Sequence, residues 1–359
     1  MRLHFFLRVV LTLALALAAA LACVVLRTPL PWMIGPLVAT ALMSMTGLPT
    51  ESWVPLRNGG QWVIGTALGL YFTPAVTALV VSLWWAIGLA IAWALMLGLG
   101  FAAVLHRLHA PRLPQVEPKA MRATAFYAGA VGGASEMTLL AERAGGRTDL
   151  VAAAHSLRLM VVVLVIPFGL QASGLTGVDL TPAGPRVVHP AGLVALAALT
   201  GAGAWLMRRL GRANPWFMGA LVAAMALTMA GITWSAIPAW LSNAAQLVIG
   251  VSLGVRFTSG FLHTAPRWLA SVGLGTLSMM ALCAGFAWLL SRGTGLHPVT
   301  LLLGTSPGGI TEMSITAKVL QLGVPVVTAF QVCRLVAVLL LANPVWHWME
   351  ARRAARSAR

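Results

Sequence analysis

The seven residues Gly132-Gly133-Ala134-Ser135-Glu136-Met137-Thr138 return 176 positions later as Gly308-Gly309-Ile310-Thr311-Glu312-Met313-Ser314. Both copies fit G-G-x-[ST]-E-M-[ST], so each places a carboxylate and two hydroxyls inside apolar sequence, directly after a glycine pair that breaks regular backbone. A chain that does this twice is expected to fold around two copies of one unit. Each Glu is followed, 22 residues on, by an arginine in an apolar run: Arg158 in His155-Ser156-Leu157-Arg158-Leu159-Met160-Val161 and Arg334 in Gln331-Val332-Cys333-Arg334-Leu335-Val336. On one straight helix that spacing is about 33 Å, close to the thickness of a bilayer core. Gly145-Gly146 lies about midway in the first copy, and Gly323 before Pro325 in the second. If the chain reverses there, Glu and Arg return to similar depth and can pair, the least costly way to keep both inside a membrane. The same residues would also serve as a purely structural ion pair at a helix crossing.

The sequence around those charges decides the class. With 59% hydrophobic residues, 9% charged residues and a mean hydropathy of +0.87, this is not a soluble globular composition. It predicts an all-α, polytopic integral membrane protein. A net charge of +16 raises the question of nucleic acid, but most of the arginines lie in short loops, which is the topology signal of membrane proteins. The basic stretch 350–359 reads as a juxtamembrane helix, lipid-facing or topology-setting, so no direct nucleic-acid partner is expected. Cys23, Cys283 and Cys333 stand singly in apolar runs, and there is no His-x-x-x-His. No metal site, no cofactor and no enzymatic activity are therefore expected. Residues 1–23 have the shape of a signal peptide, but a matching apolar stretch at 190–207 opens the second half, so the first is read as an uncleaved span.

Further landmarks recur in order. Pro31-Trp32-Met33-Ile34-Gly35-Pro36-Leu37-Val38 is answered by Pro215-Trp216-Phe217-Met218-Gly219-Ala220-Leu221-Val222, and Ile64-Gly65-Thr66-Ala67-Leu68-Gly69 by Ile249-Gly250-Val251-Ser252-Leu253-Gly254. The latter pair carries small-xxx-small faces for close helix packing. The chain divides into a first membrane repeat, 1–172, a Gly- and Pro-rich connector, 173–189, a second repeat, 190–345, and a basic cytoplasmic tail, 346–359. The basic loops exchange places between the halves. Arg27 alone stands against Arg208, Arg209 and Arg212; Arg107, Arg112, Lys119 and Arg122 precede the first Glu motif, whereas Arg292 alone precedes the second; and the uncharged turn after Thr73 is answered by Arg256 and Arg267. The halves are thus expected in opposite orientations: about ten transmembrane helices in two inverted repeats, each with a broken or re-entrant Glu-bearing segment, and both termini cytoplasmic.

Inverted repeats with broken segments meeting near the midplane are a recurring design of secondary transporters. Half-helix N-termini offer N–H groups to an anion, while freed carbonyls, hydroxyls and carboxylates can hold a cation. The expected substrate- or ion-binding residues are Gly132, Gly133, Gly308 and Gly309, which open the helices; Ser135, Thr138, Thr311 and Ser314, which supply hydroxyls; the titratable Glu136 and Glu312; and Arg158 and Arg334. Ser306-Pro307-Gly308-Gly309 is a harder break than Ala130-Val131-Gly132-Gly133. The second copy is therefore expected to hold the more open backbone, and Glu312 to be the more exposed carboxylate.

Together the paired P-W-x-x-G, Ile-Gly-x-x-Leu-Gly and G-G-x-[ST]-E-M motifs resemble the membrane AbrB family of bacteria, over residues of about 25 to 345. The resemblance implies a duplicated membrane domain in the bacterial inner (plasma) membrane, a fold similar to cation-proton antiporters and anion transporters, and a role in regulation of gene expression, the usual description of that family. The soluble AbrB DNA-binding protein shares only the name. The label of ammonia monooxygenase that the family sometimes carries conflicts with the missing metal ligands. The expectation is a secondary transporter of a small solute, with a membrane-bound regulator or sensor as the alternative. Its expected partners are the lipid bilayer and a small solute or ion, with a homodimer left open.

Overall fold

The computed structural model describes residues 2–112, 116–174, 187–260 and 265–357. Among them every regular element is helical, as long apolar runs require, because in hydrocarbon each backbone N–H and C=O must be satisfied within its own segment. In chain order the α-helices are α1 (Arg2–Val25), α2 (Pro31–Met45), α3 (Val54–Gly69), α4 (Pro74–Ser82), α5 (Trp84–His109), α6 (Pro118–Gly129), α7 (Ala134–Arg143), α8 (Thr148–Ala172), α9 (Pro190–Arg209), α10 (Pro215–Met229), α11 (Ala239–Gly254), α12 (Pro266–Thr294), α13 (Pro298–Thr305), α14 (Ile310–Val319) and α15 (Val324–Ser357). A proline in the first two positions opens α2, α3, α6, α9, α10, α12 and α13. There its missing N–H removes nothing from the helix ladder.

Helices α1 to α8 and α9 to α15 follow one order of lengths, with α4 lacking a described counterpart. The turns recur as well. Among the described residues eight of the ten left-handed residues fall in pairs, Arg27 and Gly211, Leu30 and Asn214, Gly47 and Gly231, Gly145 and Gln321, while Gly174 and Gly295 have no such counterpart. The fourth pair differs from the expectation, which placed the second reversal at Gly323. Gly146 N–H bonds the Ala141 carbonyl at 2.7 Å, and Leu322 N–H bonds that of Ala317 at 2.8 Å, so one helix-closing turn is built once with glycine and once with glutamine.

Among the described residues six helices are long and apolar enough to cross a bilayer: most of α1 (His4–Val25), α5, α8, α9, α12 and most of α15 (Val324–Ala355). Helices α3 and α4, bent by 89°, make a seventh if taken as one span. The expected ten also counted the segments at Pro31, Pro215 and Gln246. These are α2, α10 and α11, of 15, 15 and 16 residues, about 22 to 24 Å long and so short of a core about 30 Å thick. The apolar run at 75–105 is likewise divided, at the buried Leu83 between α4 and α5. Most of the connector, 175–186, lies outside the described residues. The tail is no separate piece, for α15 runs on to Ser357.

The chain forms two compact units, one of residues 1–82, 163–263 and 310–328 and one of residues 83–162, 264–309 and 329–359. Each draws on both halves of the sequence. In the first unit α3 lies on α10 and α11 on α2, and glycines set the approach. A Cβ on Gly65 would run into the Phe217 carbonyl oxygen and one on Gly250 into that of Met33; one on Gly69 would stand 2.7 Å from Leu221 O, and one on Gly254 2.7 Å from Leu37 O. The small-residue faces thus pack helices of opposite halves, in matching pairs. In the second unit α5 packs on α6 and α12, and α12 on α13. Trp346 of α15 packs on Phe126 and Tyr127 of α6, with ring centroids 5.5 and 5.9 Å away. One turn further along α15, Glu350 accepts two bonds from Arg122 of α6, at 2.9 and 2.7 Å, which raise the Arg122 pKa above its ordinary value.

Candidate functional site

Each Gly-Gly motif separates two short helices, α6 from α7 and α13 from α14. A break leaves carbonyls at the end of the first helix and N–H groups at the start of the second without intrahelical partners. Where no water reaches, such orphans cost several kcal/mol each. What satisfies them defines the site.

In the first copy Arg158, buried on α8, closes the end of α6. Its Nη1 donates to the carbonyls of Ala128 (3.2 Å) and Gly129 (3.5 Å), and its Nη2 to that of Ala130 (2.9 Å) and to His155 Nδ1 (2.6 Å). A guanidinium has only donors, so His155 Nδ1 accepts, and its Nε2 carries the proton donated to the Tyr127 carbonyl at 2.9 Å. A cation at a helix C-terminus also suits the dipole. Across the break Gly133 caps α7, and Glu136 is the third residue of that helix, the sign of charge that an N-terminus favours. Its carboxylate lies over Gly133, where a Cβ would collide with Oε2, and the side chain of Met137 covers Gly132 in the same way. Ser135 is exposed, and Thr138 turns its hydroxyl back onto the Ala134 carbonyl at 2.8 Å. Where an ion pair with Glu136 was expected, Arg158 gives these donors to helix carbonyls.

Arg334 repeats the arrangement. From α15 it donates to the carbonyls of Ser306 and Gly308 (2.8 Å) and to Gln331 Oε1 (2.6 Å), while Gln331 Nε2 donates to the carbonyls of Leu303 (2.6 Å) and Ser306 (3.3 Å). Gln331 stands 176 residues after His155, and Leu303 176 after Tyr127. A neutral amide and a neutral imidazole thus perform one task, accepting from the arginine and donating to the last turn of the broken helix.

Glu312 belongs to the first unit, as the third residue of α14. Thr311 and Ser314 are buried beside it in sequence, with Thr328 Oγ1 donating to Ser314 Oγ at 3.0 Å. Within this unit Arg256, in the turn after α11, is the cation whose charge acts on the Glu312 carboxylate. The corresponding first-half position holds Tyr71. The expected order of exposure is reversed, because Glu312 is only 6% exposed whereas Glu136 is half-buried. All of 310–317 is buried, whereas α7 buries only Met137 and Ala141. The harder break opens the backbone without lifting the carboxylate out of its packing.

Sequence reasoning missed His155 and Gln331 as partners of the arginines and took Arg256 only as a topology signal. One clue was available: a polar residue stands three positions before each arginine, one helical turn away, inside both apolar runs.

Residues 32–350 match the family model described as transition state regulatory protein AbrB. The chain is 25% identical over 344 residues, 89% of its length and 87% of the relative's, to a protein of Bacillus subtilis (strain 168) named "Uncharacterized protein YhjN". It is 24% identical over 351 residues, 96% of its length and 97% of the relative's, to one of Escherichia coli (strain K12) named "Putative regulator AbrB".

Proposed function

This chain belongs to the AbrB family, and we propose that it is a secondary transporter of a small solute, working by alternating access in the bacterial inner membrane. One observation carries the reading: in both copies a buried arginine closes the end of a broken helix and a carboxylate stands in the first turn of the helix that follows. A purely structural helix pair needs neither, since an unbroken helix satisfies its own backbone without burying a charge. Breaks of this kind supply the free N–H and C=O groups with which transporters hold solutes and coupling ions. The loop charges support opposite orientations of the two halves, with both termini cytoplasmic. Glu312, buried and titratable, is the group assigned to coupling.

The test is Glu312→Gln, which keeps shape and removes the charge. Metabolite profiling of a deletion strain nominates the solute, and uptake into proteoliposomes measures its flux. The variant should insert and purify as a monodisperse protein and lose flux at least about tenfold, the equivalent of about 1.4 kcal/mol. Flux at the wild-type rate would remove Glu312 from the mechanism.

A second reading, a membrane-bound regulator or sensor, is favoured by the family description and by the name of the Escherichia coli relative. The two readings coexist where the solute moved is itself the signal. Glu312→Gln with flux intact and an altered expression phenotype would favour signalling over transport.

A further inference from the structure

We infer that one end of the second unit is a docking surface for acidic phospholipid, with the anionic phosphate headgroup against Arg352 and its basic neighbours and the acyl chains along the exposed apolar face of α15. The inference is independent of the transport reading, since it rests on helix ends and not on the two breaks.

Contacts within this unit fix which helix ends lie together. Helices α5 and α12 run antiparallel: Trp93 stacks on Phe286 with ring centroids 4.8 Å apart, and toward the end of α5 His109 meets Trp268 (5.0 Å between centroids) and Ser271 (3.0 Å) at the start of α12. The chain reverses after α5, and α6 returns along it, so close that a Cβ on Gly129 would stand 2.7 Å from Ala102 N and Gly98 O. Helix α15 is antiparallel to α6, because Trp346 lies on Phe126 and Tyr127 while Glu350 bonds Arg122. The last turns of α5 and α15 and the first turns of α6 and α12 therefore share one end. Among their described residues they carry Arg107, Lys119, Arg122, Arg267, Arg352 and Arg353 against the carboxylates of Glu117 and Glu350. Glu350 is engaged by Arg122 and Arg353, at 2.7 and 3.1 Å, and the ion pairs of the described residues include none with Arg107, Lys119, Arg267 or Arg352, all four exposed. At the opposite end, where a Cβ on Gly293 of α12 would stand 3.2 Å from the Trp85 ring of α5, the same two helices carry Arg292 as their one Lys or Arg.

Sorting of charge between two ends also orients a membrane protein; the surface beside the charges is what singles out a lipid. Helix α15 buries Val338, Ala342 and Trp346 and turns Leu340, Leu341 and Trp348 outward. This apolar stripe ends at Trp348, 55% exposed, and one turn further on the Arg352 guanidinium lies over the indole ring, 4.0 Å from its centroid. A tryptophan at the end of such a stripe sits at headgroup level, so the contact holds the Arg352 fork at the height of the phosphates, whose oxygens it matches. Acidic phospholipid presents apolar chains and an anionic phosphate in that same order. A free phosphate or a nucleic acid would use the charge and leave the stripe uncovered.

Thermal unfolding of the purified full-length chain in dodecyl maltoside tests the surface. Dioleoylphosphatidylglycerol is titrated in one arm, dioleoylphosphatidylcholine in a second, and inorganic phosphate, at constant ionic strength, in a third. A saturable rise in Tm is expected with phosphatidylglycerol and with neither of the others. Arg352→Gln should raise the half-saturating phosphatidylglycerol concentration about fivefold, the equivalent of about 1 kcal/mol. Arg292→Gln is the control: it removes the same contact, a guanidinium 4.4 Å from the ring of Trp288, at the opposite end, and should leave the half-saturating concentration unchanged. If Arg352→Gln fails to fold, Lys119→Gln, at an exposed position on α6, takes its place with the same expectation. An equal effect of the two lipids, no effect of phosphatidylglycerol, or an equal effect of inorganic phosphate would overturn the proposal. So would a folded Arg352→Gln or Lys119→Gln variant with unchanged half-saturation, or an equal loss in Arg292→Gln. None of these outcomes bears on flux through Glu312, so the surface and the transport reading stand or fall separately.

Discussion

His155 and Gln331 have different chemistry and the same bonds, which makes position 155 a sharp probe of what the buried arginine needs. His155→Gln places in the first copy the residue that already works in the second, and its stability should stay within about 1 kcal/mol of wild type. His155→Leu leaves Arg158 without its 2.6 Å acceptor and the Tyr127 carbonyl without its donor, and should destabilise by about 1 to 3 kcal/mol. Thermal unfolding of both variants checks this, and a Leu variant as stable as the Gln variant would show that the imidazole bonds contribute nothing. At Gly133 the limiting contact is a carboxylate, not backbone. Gly133→Ala must swing the Glu136 carboxylate aside, and because that is the free end of a flexible, half-buried side chain the expected cost is below about 1 kcal/mol, checked by thermal unfolding.

The turns that join the elements repeat more faithfully than the residues that form them. Gly145 and Gln321 hold the same left-handed conformation, at φ 75° and 54°, and nothing lies within 4 Å of a Cβ on Gly145. The difference between them is therefore conformational, since a side chain in that region costs roughly 1 to 2 kcal/mol. Gln321→Gly should stabilise by about 1 kcal/mol, and Gly145→Ala should destabilise by about as much. Opposite shifts in Tm for the two variants are the expected readout. A Gln321→Gly variant that melts earlier than wild type would mean that the glutamine side chain contributes more than the strain it carries.

At the scale of the whole chain, the glycine contacts of the first unit join one half of the sequence to the other. Gly65→Ala and Gly250→Ala each force a methyl group against the backbone of a helix from the other half of the sequence, at an expected cost of about 1 to 3 kcal/mol. Gly88→Ala and Gly285→Ala, which meet nothing within 4 Å, should be neutral or stabilising by up to about 1 kcal/mol. Thermal unfolding separates the two pairs. The inverted orientation has its own measurement: single cysteines placed at 112 and 292 should label from opposite sides of the membrane, and same-side labelling would end the inverted reading.

Much of this was legible in the sequence because it depends on composition and on spacing along the chain. Apolar runs dictate helices wherever water is absent, the prolines mark where helices begin, and the doubled Gly-Gly motif locates both breaks through its recurrence, since a glycine pair alone does not interrupt a helix: Gly59-Gly60 lie within α3. Apolarity does not reveal length: among the described residues six helices have the length and apolarity of a full span, whereas α2, α10 and α11 are apolar but of 15, 15 and 16 residues. Only tertiary structure could decide what satisfies the broken ends. A buried arginine chooses between a carboxylate and a set of carbonyls according to which lies within about 3 Å, and that distance follows from how α8 and α15 pack beside α6 and α13. The same packing makes His155 and Gln331 equivalent, buries Glu312 more deeply than Glu136, and divides each half of the sequence between two compact units. None of these is a property of the chain's order, because each arises from surfaces that folding alone brings into contact.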